Sequence, residues 1–191
     1  MKLFSAPLSD SLHRARGLPR AAYGTVLAHA GIGLAVIGIV ATTAWQTEIV
    51  LSMKPGDTAQ IAGYDLAFRG AAPGRGQNYQ DQIGLLTVTR GGAPVTELMP
   101  SKRTFDAPRQ TTTEAGIHVS WLGDLYAVLG DDLAGGGFVV RLYFNPLVRL
   151  IWLGALIMAL GGAFSLSDRR LRIGAPRRAR RRPVAAPSPA E

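Results

Sequence analysis

Two long apolar stretches, residues 23–45 and 146–166, frame about a hundred residues in which short apolar runs alternate with turn-forming ones. The first stretch has no Asp, Glu, Lys or Arg, and the second has only Arg149. At 1.5 Å per residue, either is long enough as a helix to cross a hydrocarbon layer of roughly 30 Å. The middle changes period. In Tyr64-Asp65-Leu66-Ala67-Phe68 the large apolar side chains fall on every second position, as in a half-buried strand. Lys54-Pro55-Gly56-Asp57 is a strong turn, and Gly91-Gly92 between two β-prone runs predicts a hairpin. Further strands are expected at residues 117–122, 125–129 and 138–144. Residues 70–82 read as a loop and 100–115 as irregular, and Pro146 is expected to open the second helix. The predicted fold class is therefore an integral membrane protein, with two transmembrane helices flanking an all-β domain, sandwich or barrel-like, outside the cytoplasm.

Charge sharpens this picture. The overall excess of +8 lies outside the middle. Residues 1–22 carry four basic groups against one acidic, and residues 167–191 carry eight arginines against two acids. Residues 46–145 hold 8 basic and 10 acidic groups. Basic segments flanking both spans put both termini in the cytoplasm and the middle on the far side, periplasmic in a Gram-negative cell. The expected organisation is a basic cytoplasmic lead at 1–22, a first span at 23–45, a periplasmic β-rich domain at 46–145, a second span at 146–166, and a disordered Arg/Pro-rich cytoplasmic tail at 167–191. The arginine run reads as a topology anchor against anionic lipid. No aromatic residue is interleaved with it for base stacking, which argues against nucleic acid as a partner. The first span is longer than a signal-peptide core and is expected to be retained.

Candidate chemistry is sparse. The chain has no cysteine, which excludes disulfides, zinc–thiolate sites and iron–sulfur ligation. It has no G-x-S-x-G, P-loop or HExxH pattern. It does not read as a complete catalyst alone. Asp131-Asp132 reads as a solvated tip, His13 as solvated in the lead, and His118 as an outward-facing strand residue. His29 is the informative position, an ionisable group inside a predicted span. Thr25 and Gly33 lie one turn before and after it, and Ala28, Ala30 and Gly31 adjoin it, a collar of small residues that admits a flat group or another helix. Three readings of His29 stand open: a neutral imidazole that glues helices, a proton relay, or an axial ligand to metal or haem.

Several motifs stand in collinear order: Tyr23-Gly24-Thr25-Val26-Leu27-Ala28-His29-Ala30-Gly31, Lys54-Pro55-Gly56-Asp57, Thr113-Glu114-Ala115, Gly123-Asp124-Leu125-Tyr126, Arg141-Leu142-Tyr143-Phe144-Asn145-Pro146 and Ser167-Asp168-Arg169-Arg170. In identity and spacing they resemble the C-terminal part of the CcmF family of cytochrome c biogenesis proteins. The chain resembles a split or truncated member, lacking the family's tryptophan-rich segment and its other ligand histidines. The resemblance implies a subunit of a membrane haem lyase in a bacterial inner membrane. It implies a haem b shared with a partner chain and ligated by His29. The implied partners are an N-terminal CcmF-like membrane subunit, a CcmE-like haem chaperone, a CcmH-like subunit and apocytochrome c, in addition to the lipid bilayer. Thr25 is then a candidate hydroxyl beside the ligand, and Arg149 a snorkelling residue facing lipid phosphate or a haem propionate. A different class of function also fits the sequence: a non-catalytic assembly scaffold whose β-domain docks partners and whose His29 only packs. A transporter fragment fits less well, because neither span is broken or carries a carboxylate.

Overall fold

The structure is a computed structural model and describes residues 18–168. His13 and the arginine tail lie outside the described residues. Two helices, α1 (Arg20–Ala44) and α2 (Arg149–Leu166), bracket ten strands. The chain divides into two compact units, one of residues 30–157 and one that includes the outer helix ends, 18–29 and 158–168.

The strands are β1 (Thr47–Met53), β2 (Thr58–Ile61), β3 (Tyr64–Arg75), β4 (Tyr79–Arg90), β5 (Ala93–Leu98), β6 (Ser101–Phe105), β7 (Gln110–Glu114), β8 (Gly116–Val119), β9 (Gly123–Asp132) and β10 (Phe138–Pro146). They form two antiparallel sheets, one ordered β1-β10-β9-β8 and the other β2-β3-β4-β6-β7, with β5 also on β4. Alternation decides which side chains go inside. Tyr64, Leu66 and Phe68 of β3 and Leu86 and Val88 of β4 face Leu125, Ala127 and Leu129 of β9 and Val140 and Leu142 of β10 in one core, all almost fully buried. Burying a side chain of this size stabilises by about 1.5–3 kcal/mol before its entropy cost.

The turn chemistry explains the connections. Pro55-Gly56 makes the first turn: Asp57 N–H donates to the Lys54 carbonyl at 2.9 Å, and Gly56 takes a φ of 99°, open mainly to glycine. Gly91 and Gly92 both have positive φ, as a two-residue hairpin between β4 and β5 requires.

Three expectations are corrected. Residues 70–82 are mostly strand, because β3 runs to Arg75 and β4 starts at Tyr79, in register from Gly70↔Leu85 to Arg75↔Gln80. Residues 101–105 and 110–114 are also paired strands. Pro146 closes β10 in register with Gly123, and the helix begins only at Arg149.

The helices meet through small residues. In the unit of the outer helix ends, a Cβ on Gly161 would lie 2.5 Å from the Ala28 nitrogen, and one on Gly24 would lie 2.5 Å from the Ser165 nitrogen. The Asp168 carboxylate accepts the Ala21 N–H at 3.1 Å, giving the first turn of α1 an anionic partner. In the other unit, a Cβ on Gly154 would lie 2.5 Å from the Gly31 carbonyl oxygen, and one on Gly38 would lie 2.8 Å from the Ile151 nitrogen. Such backbone proximity is the usual basis of helix association where no hydrophobic effect operates.

Candidate functional site

The local structure of α1 settles how His29 is held. Its Nδ1 lies 2.8 Å from the Thr25 carbonyl oxygen, one turn back in the helix. A carbonyl only accepts, so Nδ1 donates this bond, and in the neutral ring Nε2 then carries the lone pair. The ring is exposed, and no described residue hydrogen-bonds Nε2. The Thr25 hydroxyl donates to the Ala21 carbonyl at 2.9 Å and is occupied within the helix. It therefore gives His29 a carbonyl rather than a hydroxyl.

The expected collar is divided. Gly24 and Ala28 are used against α2, and at 100° per residue His29 points well away from that seam. Gly33, one turn further along, has nothing within 4 Å of where its Cβ would be. Of the small residues near His29, Gly33 lies one turn along on the same helical face by spacing. Neutral imidazole with its second ring nitrogen donating to a carbonyl is the usual form of a histidine metal or haem ligand. Among the described residues no cluster of three metal-ligating side chains exists, so a metal at His29 would need ligands from elsewhere. No described acidic side chain hydrogen-bonds the imidazole, so the structure supplies no first step for a proton relay.

His118 is not outward-facing. It pairs with Leu125 across β8 and β9, so it shares that residue's inner face, and its ring meets Tyr64 edge-on at 6.0 Å. Tyr64 in turn has Phe144 6.2 Å away and the Arg90 guanidinium 4.9 Å over its ring. The exposed positions of β8 are its apolar ones, Ile117 and Val119. His118 belongs to an aromatic plug at the rim of the core. Asp131 is exposed and ion-paired with Lys102 at 2.5 Å. The hydrogen bond from Lys102, then its charge, holds the Asp131 carboxyl below the usual carboxylate range.

Sequence reasoning missed a groove of about 490 Å³ lined by Val119, Trp121, Asp124, Arg149, Trp152, Leu153 and Leu156. The sequence marks Arg149 as a snorkelling cation toward lipid phosphate or a haem propionate. Its guanidinium carbon lies 4.9 Å over the ring of Trp121, a residue 28 positions earlier, and no local pattern signals that pairing.

Comparison with known proteins follows the same lines. Residues 44–146 match the family model described as the CcmF C-terminal beta-sandwich. The chain is 55% identical over 168 residues to the cytochrome c-type biogenesis protein CycK of Rhizobium meliloti, covering 88% of this chain and 25% of that protein. It is 42% identical over 159 residues to the cytochrome c-type biogenesis protein CcmF of Pseudomonas aeruginosa, covering 83% and 24%. A solved structure named cytochrome c heme lyase CcmF aligns with a TM-score of 0.63 at 20% identity, covering 78% of this chain and 25% of that one, a likeness of fold. The chain thus spans about a quarter of the length of the curated relatives it matches.

Proposed function

The chain belongs to the CcmF family, and on that premise we propose that it works as a subunit of a membrane haem lyase for cytochrome c maturation. In this reading α1 and α2 cross the bacterial inner membrane, both termini are cytoplasmic, and the sandwich stands in the periplasm. The basic flanks and the length of the two apolar helices support that placement. His29 would then hold a b-type haem from one side through Nε2, and an N-terminal CcmF-like chain would supply the other ligand. The sandwich is the docking surface toward a haem chaperone, a CcmH-like subunit and apocytochrome c.

The observation that carries the ligand assignment is the 2.8 Å hydrogen bond from His29 Nδ1–H to the Thr25 carbonyl. It holds the ring in one orientation and aims Nε2 away from the α2 seam. Gly33 leaves that face open to a flat group, while Val36 and Val40, exposed and apolar further along α1, keep water from it once a partner helix is in place. A haem ligated by two imidazoles supplies one-electron redox chemistry when bound.

The test is the spectrum of the membrane complex containing this chain and its partner subunit. His29→Ala should abolish the low-spin b-type haem signal while the chain stays inserted. Unchanged haem content together with unchanged holocytochrome c production would overturn the ligand role. It would favour the scaffold reading, which the same Nδ1 hydrogen bond also permits and in which lesions in the sandwich alone abolish function.

A further inference from the structure

We propose that the groove between the outer face of the β1-β10-β9-β8 sheet and the first turns of α2 is a phospholipid site selective for a phosphoethanolamine headgroup. The proposal rests on the membrane placement above.

The groove is graded from polar to apolar in the sense of a lipid. Arg149, Trp152, Leu153 and Leu156 stand at i, i+3, i+4 and i+7 along α2, one face of the helix descending from a cation to aliphatic side chains. Trp121 and Trp152 are about three-quarters exposed, an unusual exposure for indoles unless a bilayer interface covers them. The Arg149 guanidinium carbon lies 4.9 Å over the centre of the Trp121 ring. A cation–π contact of this kind occupies none of the guanidinium N–H groups with an acceptor, so they remain available to donate. Among the described residues Arg149 makes no ion pair, since the bridges there belong to Lys102 and Arg103. A planar, unpaired donor fork at the interface is a phosphate ligand.

The second polar group makes the site selective. Asp124 pairs with Val119 across β8 and β9 and so lies on the same outer face. It is 7% exposed, and its Oδ1 accepts the Ser120 N–H at 3.2 Å. No described group donates to Oδ2, and that oxygen is not one of the buried unpartnered atoms, so it stays open to solvent and free to accept from a cationic donor. One cation and one carboxylate line the groove, so an acidic headgroup would leave Asp124 facing like charge. A phosphoethanolamine satisfies both, its phosphate on Arg149 and its ammonium on Asp124. Choline cannot replace it, because a quaternary ammonium has no N–H to donate.

The experiment uses the full chain with Trp45→Phe, which leaves Trp121 and Trp152 as the only tryptophans, reconstituted in bilayers of equal parts phosphatidylethanolamine and phosphatidylglycerol. Acyl-brominated lipid of one class at a time quenches whatever indole it touches. The expected result is a local preference for phosphatidylethanolamine of about fivefold over bulk, equivalent to about 1 kcal/mol. That preference should be lost in Arg149→Gln, in Asp124→Asn, and when phosphatidylcholine replaces phosphatidylethanolamine. Quenching that follows bulk composition, a preference that survives both substitutions, or no quenching by either lipid (a protein then covers the groove) would each overturn the site. Release of the chain by alkaline carbonate would instead overturn the membrane placement on which it rests.

Discussion

Gly161 and Gly162 are neighbours in α2 with opposite surroundings, and alanine at each isolates the strength of the helix seam. At Gly161 the added Cβ would lie 2.5 Å from the Ala28 nitrogen and 2.7 Å from the Gly24 carbonyl oxygen, both backbone atoms with no rotamer to yield. Ordinary contact needs roughly 3.5 Å, so α1 and α2 must part locally by about 1 Å. At Gly162 nothing lies within 4 Å of the same atom. Both substitutions gain the same helix propensity, about 1 kcal/mol. Their difference therefore reports the overpacking alone, about 1–3 kcal/mol. Gly162→Ala should be as stable as the parent or more so, and Gly161→Ala less stable than Gly162→Ala by that amount. Unfolding in mixed detergent micelles, followed by helical ellipticity, measures both. Equal midpoints for the two variants would refute the seam, whatever their absolute values.

In the sandwich, Phe68 is fully buried with its ring edge-on to Phe138 at 6.1 Å, so Phe68→Ala should cost about 3–5 kcal/mol; denaturant unfolding of the β-domain signal should show it, and a loss below about 1 kcal/mol would contradict the core assignment. The Asp131 carboxyl should titrate below the usual carboxylate range and move back up in Lys102→Met, read by carboxyl NMR shifts. Because the folded-state value is depressed, whatever stability the pair adds is complete above the unfolded-state pKa of about 3.9 and is lost as pH falls through the folded-state value. An unshifted carboxyl in the parent chain would dispose of that pairing.

Much of the fold is legible in local chemistry. Pro55-Gly56 and Gly91-Gly92 mark turns because their dihedral preferences suit little else, and Tyr64, Leu66 and Phe68 reveal the strand whose alternate face is the core. The failures have a common cause, a partner remote in sequence. Gly74 resembles a loop residue, yet it lies in β3 opposite Asp81, whose carboxylate occupies the space where a side chain would be. The strand at 101–105 has no alternating apolar signal, because Lys102, Arg103 and Thr104 are only half-buried and held by polar neighbours. His118 misleads because alternation identifies two faces without saying which is inside, and the edge strand β8 turns its apolar residues outward. The place of His29 within a helix could be read from the sequence. Which small residues belonged to the imidazole, and which to the neighbouring helix, needed α2 in position.

The antiparallel ladder from Thr47↔Phe144 to Met53↔Phe138 joins the strand that leaves α1 to the strand that enters α2. Neighbouring strands run only about 4.8 Å apart, whereas packed helices ordinarily keep roughly 8–10 Å between axes. Helices emerging from such a ladder begin pinched together, and Gly38 opposite Ile151, near that junction, is where the absence of a side chain makes the pinch tolerable. The zipper at the base of the sandwich thus dictates the spacing of its two stalks, and a bulkier residue at Gly38 would be felt as a tug on β1 and β10.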